Sequence, residues 1–166
     1  MEFVTHTLEP VYDERSKILI LGSIPSPKSR QNGFYYGHPQ NRFWPLLANL
    51  LHEPCPSSNE EKKALVLRHR IALWDVLASC EIRGADDTSI TKPVANDIAG
   101  LLARCPVRKI FTTGKKATNL YKKYCESTAG LPSIYLPSTS PANQGRFPMS
   151  RLVEEWQPVI DALQKP

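Results

Sequence analysis

No apolar run in the chain approaches the roughly 20 residues that a helical membrane span requires, so a transmembrane reading is excluded. The opening residues, MEFVTHTLEPVYDER, lack the basic-then-apolar pattern of a secretory leader, and none is expected. Neither GxGxxG nor GxxxxGK[ST] occurs, which removes the usual phosphate-cradling loops of nucleotide-binding domains. Cysteine is sparse: Cys55, Cys80, Cys105 and Cys125 stand 20 to 25 residues apart with no CxxC pair among them. That spacing is poor for zinc, and reduced thiols in or near the core are the simpler expectation. Neither a metal nor a cofactor is expected. Aromatic residues are only 8% of the chain, so three in succession, Phe34-Tyr35-Tyr36, call for a reason.

What the chain does have is enough length, 166 residues, for one domain with a genuine core. Its 41% hydrophobic and 22% charged residues are those of a soluble globular protein, expected as a monomer. A net charge of +5 permits a polyanionic partner without demanding one. KILILGS (17–23), IALWDVL (71–77), RKIFTTG (108–114) and SIYLPS (133–138) read as short buried strands. Helical patterns lie between and after them. NRFWPLLANLLHE puts Phe43, Leu46, Leu47, Leu50 and Leu51 on one face, and Ser58 to Glu61 form a capping box. PVANDIAGLLARC and KKATNLYKKYCES are further helices, and Pro158 should kink or split the last one. The polar stretch ASCEIRGADDTSITKP reads as a surface loop, and no hairpin is expected.

Strands alternating with helices predict a three-layer α/β/α fold around a short, mainly parallel four-stranded sheet, spanning 1–166 as one domain. In such sheets the ligand crevice lies at the carboxyl ends of the strands. The loops there are GSIPSPKSRQNGFYYGHPQN, ASCEIRGADDTSITK, TTGKK and STSPANQGR.

Two of these loops together resemble those of the uracil-DNA glycosylase superfamily. The first is Gly22-Ser23-Ile24-Pro25-Ser26 with GFYYGHPQNRFW; the second is Ser138-Thr139-Ser140-Pro141-Ala142-Asn143. The resemblance is closest to the hypoxanthine (deoxyinosine) DNA glycosylase branch, with mismatch-specific uracil glycosylases as cousins. Ile24 stands where uracil-specific relatives carry Asp or Asn, and Ser138 where many carry His. Both departures weaken a uracil-only reading. Some DNA glycosylases hold an iron–sulfur cluster on four cysteines, but the spacing here does not invite one.

The resemblance implies a base-excision enzyme that flips a damaged nucleotide out of the duplex and stacks it. Its implied partner is DNA containing deaminated bases, in the cytoplasm, on the nucleoid in a prokaryote. Asn41 is the catalytic candidate: an amide can aim a water beneath C1′, though it is a poor base. A helix N-cap is its competing role, given its place ahead of RFWPLL. Tyr36, Phe34, Ser23, Ile24, Thr113 and Ser138 are the base-binding candidates. His38 is expected to be structural. Asp75, ending a strand at the crevice, is expected to cap loop amides more than to activate water. Backbone contact falls to Ser26, Lys28, Ser29 and Arg30 on the first loop. On the second it falls to Ser140, Pro141, Asn143 and Arg146, with 142–146 facing the minor groove. No lysine lies in either motif, so lyase chemistry has no support and a monofunctional enzyme is expected. The alternatives are a uracil or broad deaminated-base glycosylase, and a damaged-DNA-binding module without turnover.

Overall fold

The computed structural model describes residues 1–166. Its centre is a parallel sheet of four short strands: β2 (Ile18–Gly22), β3 (Ile71–Asp75), β6 (Lys109–Thr113) and β7 (Ser133–Leu136). They lie side by side in the order β3-β2-β6-β7, every pair parallel. The expected four-stranded sheet is therefore present. β2 is the spine, buried at all five positions because it has a neighbour on each side and a layer on each face. Its side chains alternate: Ile18 and Ile20 join one apolar cluster, Leu19 and Leu21 the other.

The first cluster is completed by α2 (Phe43–Leu51), α3 (Asn59–Arg68), α7 (Met149–Glu155) and α8 (Gln157–Gln164). Pro45 lies in the first turn of α2, where no N–H is missed. Ser58 caps α3 by accepting from the Glu61 amide at 3.1 Å. The closing helix is split at Trp156, with Pro158 in the opening turn of α8. On the opposite face lie α4 (Ile98–Leu102), α5 (Lys115–Tyr124) and α6 (Glu126–Ala129). No helix is long and apolar enough to cross a membrane.

Two departures from the sequence reading matter for the site. The polar stretch after β3 is no surface loop but an antiparallel hairpin, β4 (Leu77–Arg83) and β5 (Asp86–Ala95). The N-terminal strand β1 (Glu2–Thr5) pairs with β4, making a second sheet in the order β1-β4-β5. β5 takes up Pro93 to Ala95, so α4 is much shorter than the helix expected there. The other departure is α1 (Pro27–Asn32), one short helix inside the first loop, capped by Ser26 and closed by Gly33 at φ 77°.

Candidate active site

β2 ends at Gly22, which pairs in register with Asp75 at the end of β3. The chain then turns across the carboxyl edge of the sheet, as the crevice rule requires. There an open cleft is lined by Gly22 to Ser26, Ser29, Tyr35, Tyr36, His38, Asn41, Asp75, Thr113 and Ser138 to Pro141. Ile82, Gly84, Ala85 and Asp87 of the hairpin close one wall. Both sequence motifs thus meet in one place. Of the residues expected to act, Ser23, Ile24, Ser26, Ser29, Tyr36, Asn41, Thr113, Ser138, Ser140 and Pro141 line it.

Two buried tryptophans hold the motif loops. Trp44 Nε1 donates to the Tyr35 carbonyl and Trp156 Nε1 to the Pro137 carbonyl, each at 3.0 Å. Arg42 ties the loops to each other: its amide donates to the Thr139 carbonyl, and its buried guanidinium donates to the Phe147 carbonyl. Nε and Nη2 of Arg42 are buried without partners, and burial lowers the pKa of the group.

Tyr36 lies flat on Phe43, with ring centroids 3.8 Å apart and planes within 5°. Its backbone is left-handed at φ 52°, a conformation that a bulky side chain rarely adopts. Its hydroxyl is buried without a well-formed hydrogen bond; burial, helped by the charge of Asp75, raises its pKa, and the nearby Thr113 hydroxyl opposes the rise. A two-ring stack presented to a cleft is a platform for a flat ligand. Phe34, expected beside Tyr36, is instead core: it stacks on Trp44, meets Tyr35 edge-on, and does not line the cleft. The apolar surface of Trp44 outcompetes the cleft for that ring.

Asn41 sits where the first motif meets the second. Its Oδ1 accepts from the Phe43 amide at 2.9 Å and from Thr139 Oγ1 at 2.7 Å. Asn41 is not the N-cap expected: Arg42 holds that position without a side-chain cap, and Asn41, one residue earlier, closes an Asx turn onto the first helical amide, which occupies its amide oxygen. The Nδ2 group takes no part in these bonds. His38 Nδ1 accepts from the Gln40 amide at 3.0 Å, a local turn contact, while the residue also lines the cleft.

Asp75 does not cap loop amides. The amides that follow it are satisfied by backbone, Val76 donating to Gly22 at 2.8 Å and Leu77 to Ser23 at 3.0 Å. Its Oδ2 instead accepts from His6 Nε2 at 2.9 Å. Ser23 Oγ donates to Asp87 Oδ1 at 2.9 Å, and Thr113 Oγ1 to the Leu21 carbonyl at 3.3 Å. Burial raises the pKa of Asp87, the negative charge of Asp75 adds to this, and the Ser23 bond opposes it.

The residues expected on the DNA backbone divide. Ser29 is buried: its Oγ accepts from the Gly37 amide at 2.9 Å and from Ser26 Oγ at 3.1 Å, so it braces the loop. Lys28 and Arg30 point off the cleft from α1, and Arg30 Nη2 lies 3.5 Å from Glu2. Asn143 Nδ2 donates to the Ser138 carbonyl at 2.9 Å, holding the second loop's curl, while Arg146 is exposed beyond the cleft. His6, Asp87 and Thr139 were missed. Thr139 was inside the quoted motif, but His6 and Asp87 come from segments whose pairing no local pattern announces.

The four cysteines are free and dispersed, and no three His, Cys, Asp or Glu side chains converge as a metal would need. A family profile described as the uracil DNA glycosylase superfamily matches residues 9–164. A protein of Methanosarcina acetivorans named hypoxanthine DNA glycosylase is 39% identical over 152 residues, covering 90% of this chain and 94% of its own. One of the same name from Methanosarcina barkeri is 35% identical over 136 residues, covering 81% and 85%. The solution NMR structure of a candidate uracil DNA glycosylase from Methanosarcina acetivorans superimposes with a TM-score of 0.83. It is 34% identical and covers 99% of this chain and 100% of that one.

Proposed function

Because the chain belongs to the uracil DNA glycosylase superfamily, we propose that it hydrolyses the N-glycosidic bond of deoxyinosine in DNA. Hypoxanthine leaves and an abasic site remains. The observation that supports this choice of base is the shared name of two relatives matched over most of both chains. The departures at Ile24 and Ser138 point the same way. Ile24 is a largely buried apolar residue beneath the cleft, in the position where uracil-specific relatives carry an amide or carboxylate.

The flipped base stacks on Tyr36, whose far face is already supported by Phe43. Departure of the base leaves an oxocarbenium-like sugar, and negative charge moves onto the purine. Ser23, Thr113 and Ser138 are the hydroxyl groups at hand for the base. Asn41, its oxygen anchored by Thr139 and Phe43, offers its amide nitrogen as a donor that holds a water in place. Ser26, Ser140 and Pro141 lie where the two loops would close on the phosphates, and the exposed Lys28 and Arg146 add charge further out. The protein acts as a monomer on the genome, without a cofactor.

The test is an end-labelled duplex set, each carrying one deoxyinosine, deoxyuridine, deoxyxanthosine or normal base, followed by alkali. Alkali-dependent cleavage at deoxyinosine is expected. Cleavage at uracil alone would transfer the assignment to the uracil-specific cousins. DNA binding without cleavage would leave only a damage-binding module.

A further inference from the structure

We propose that Asp75 is the proton acceptor for the attacking water and that His6 is the residue that positions it. The inference rests on the cleft being the glycosylase site, and adds two residues to it. Asp75 is the carboxylate that ends β3, in register with Gly22 at the end of β2, so it stands at the floor of the cleft. Its side chain is 5% accessible and that of His6 3%. The imidazole is held by Tyr35, 6.1 Å away and tilted, and by Trp74, 6.5 Å away and edge-on. An ionised carboxylate can only accept, so the His6 ring must present Nε2–H to it. One oxygen is thereby fixed.

The other oxygen carries the argument. Asp75 Oδ1 has no hydrogen bond within the protein and lies against Gly22, where a Cβ would come within 2.6 Å of it. Tyr36 Oη and Thr113 Oγ1 lie 3.5 and 3.7 Å from that same point. Glycine is the residue that leaves this approach open. A buried carboxylate with a single partner is costly to keep, and loop capping does not account for it, because backbone carbonyls satisfy those amides. Asn41 cannot take the proton, since both lone pairs of its oxygen are engaged. The two residues divide the work: Asn41 donates to the water oxygen, and Asp75 Oδ1 accepts from one of its hydrogens.

The reaction balances without a co-reactant. The C1′–N9 bond breaks with its electron pair going to hypoxanthine. The water oxygen bonds to C1′, and its proton passes to Asp75 Oδ1. From there the proton returns through solvent to the departing purine, leaving neutral hypoxanthine, an abasic site and the carboxylate restored.

The experiment is single-turnover excision at saturating enzyme, on the same panel of bases, with affinity for DNA carrying a stable abasic analogue measured beside it. Asp75→Asn, nearly the same shape, should lose about a hundredfold or more in rate while retaining that affinity. Asp75→Ala should be inactive, and formate should restore its rate where chloride at equal ionic strength does not. His6→Phe keeps a ring between Tyr35 and Trp74 but has no N–H, and should cost about tenfold. In the Asp75→Asn background it should cost almost nothing more, a non-additivity that a merely structural contact would not show. An Asp75→Asn rate within a few-fold of wild type, or no formate response in Asp75→Ala, would overturn the proposal. If wild type prefers uracil and Asp75→Asn abolishes that excision, the choice of base fails and the assignment of Asp75 stands. Wild type inert on every base would overturn both.

Discussion

A single hydroxyl shows how the cleft differs from a core. Tyr36 Oη is buried without a well-formed hydrogen bond, which ordinarily costs about 1–3 kcal/mol. A protein selected only for stability would carry phenylalanine there. Tyr36→Phe should therefore raise the melting temperature, by about 2–4 °C for each kcal/mol recovered in a chain of this size. If the hydroxyl meets the flipped nucleotide, the same change should weaken binding to deoxyinosine DNA. Tyr36→Ala should be worse on both counts, since it strips the platform from Phe43 and loses a base stack of about 1–3 kcal/mol. Calorimetry and a binding titration on the two variants separate these effects. A melting temperature unchanged in Tyr36→Phe would mean that the hydroxyl has a partner after all.

At the scale of elements, the four parallel strands were legible because each is an apolar run covered on both faces. The hairpin was not, for a physical reason. β4 and β5 bury one face at most, carry Glu81, Arg83, Asp86, Asp87 and Lys92, and slip register three times along their pairing. Alternation broken by irregular pairing looks like polar loop in a single sequence. The same blindness hid His6 and Asp87: Asp87 lines the cleft from β5, and His6, just past β1, reaches it only through Asp75, 64 and 69 residues from their respective partners. Asn41, Tyr36 and the serines could be placed at the cleft because they lie within the two loop motifs that carry the family resemblance. The hairpin's own prediction concerns Asp87. Its folded pKa is raised, so the folded state binds the proton more tightly than the unfolded chain does. Its ionisation then works against folding, an effect absent below the unfolded value of about 3.9 and complete above the folded one. Asp87→Asn, which can still accept from Ser23, should melt higher than wild type at pH 8. The gap should close as pH falls to about 3.5. A gap of the same size at both ends of a melting series would remove Asp87's ionisation as its cause.

For the whole molecule, the net charge of +5 is too small to act as a general polyanion sponge. Much of the basic charge also lies away from the cleft, in Lys122 and Lys123 in the last turn of α5 and in Lys165 near the C-terminus. Near the two loops, Lys28 and Arg146 are the exposed cations best placed for phosphate contact, since Arg30 is drawn towards Glu2. Each phosphate neutralised releases counterions and steepens the salt dependence of binding by roughly 0.9 in the log–log slope. A protein that grips through two short loops should therefore show a shallow slope, about −2 to −3, well short of that of a large duplex reader. Lys28→Gln and Arg146→Gln should each flatten it by roughly one, without changing which base is excised, whereas Lys165→Gln should leave it alone. Fluorescence anisotropy across a salt series decides this. A slope indifferent to Lys28 and Arg146 but lowered by Lys115 or Lys116 would move the backbone path across the sheet edge towards α5.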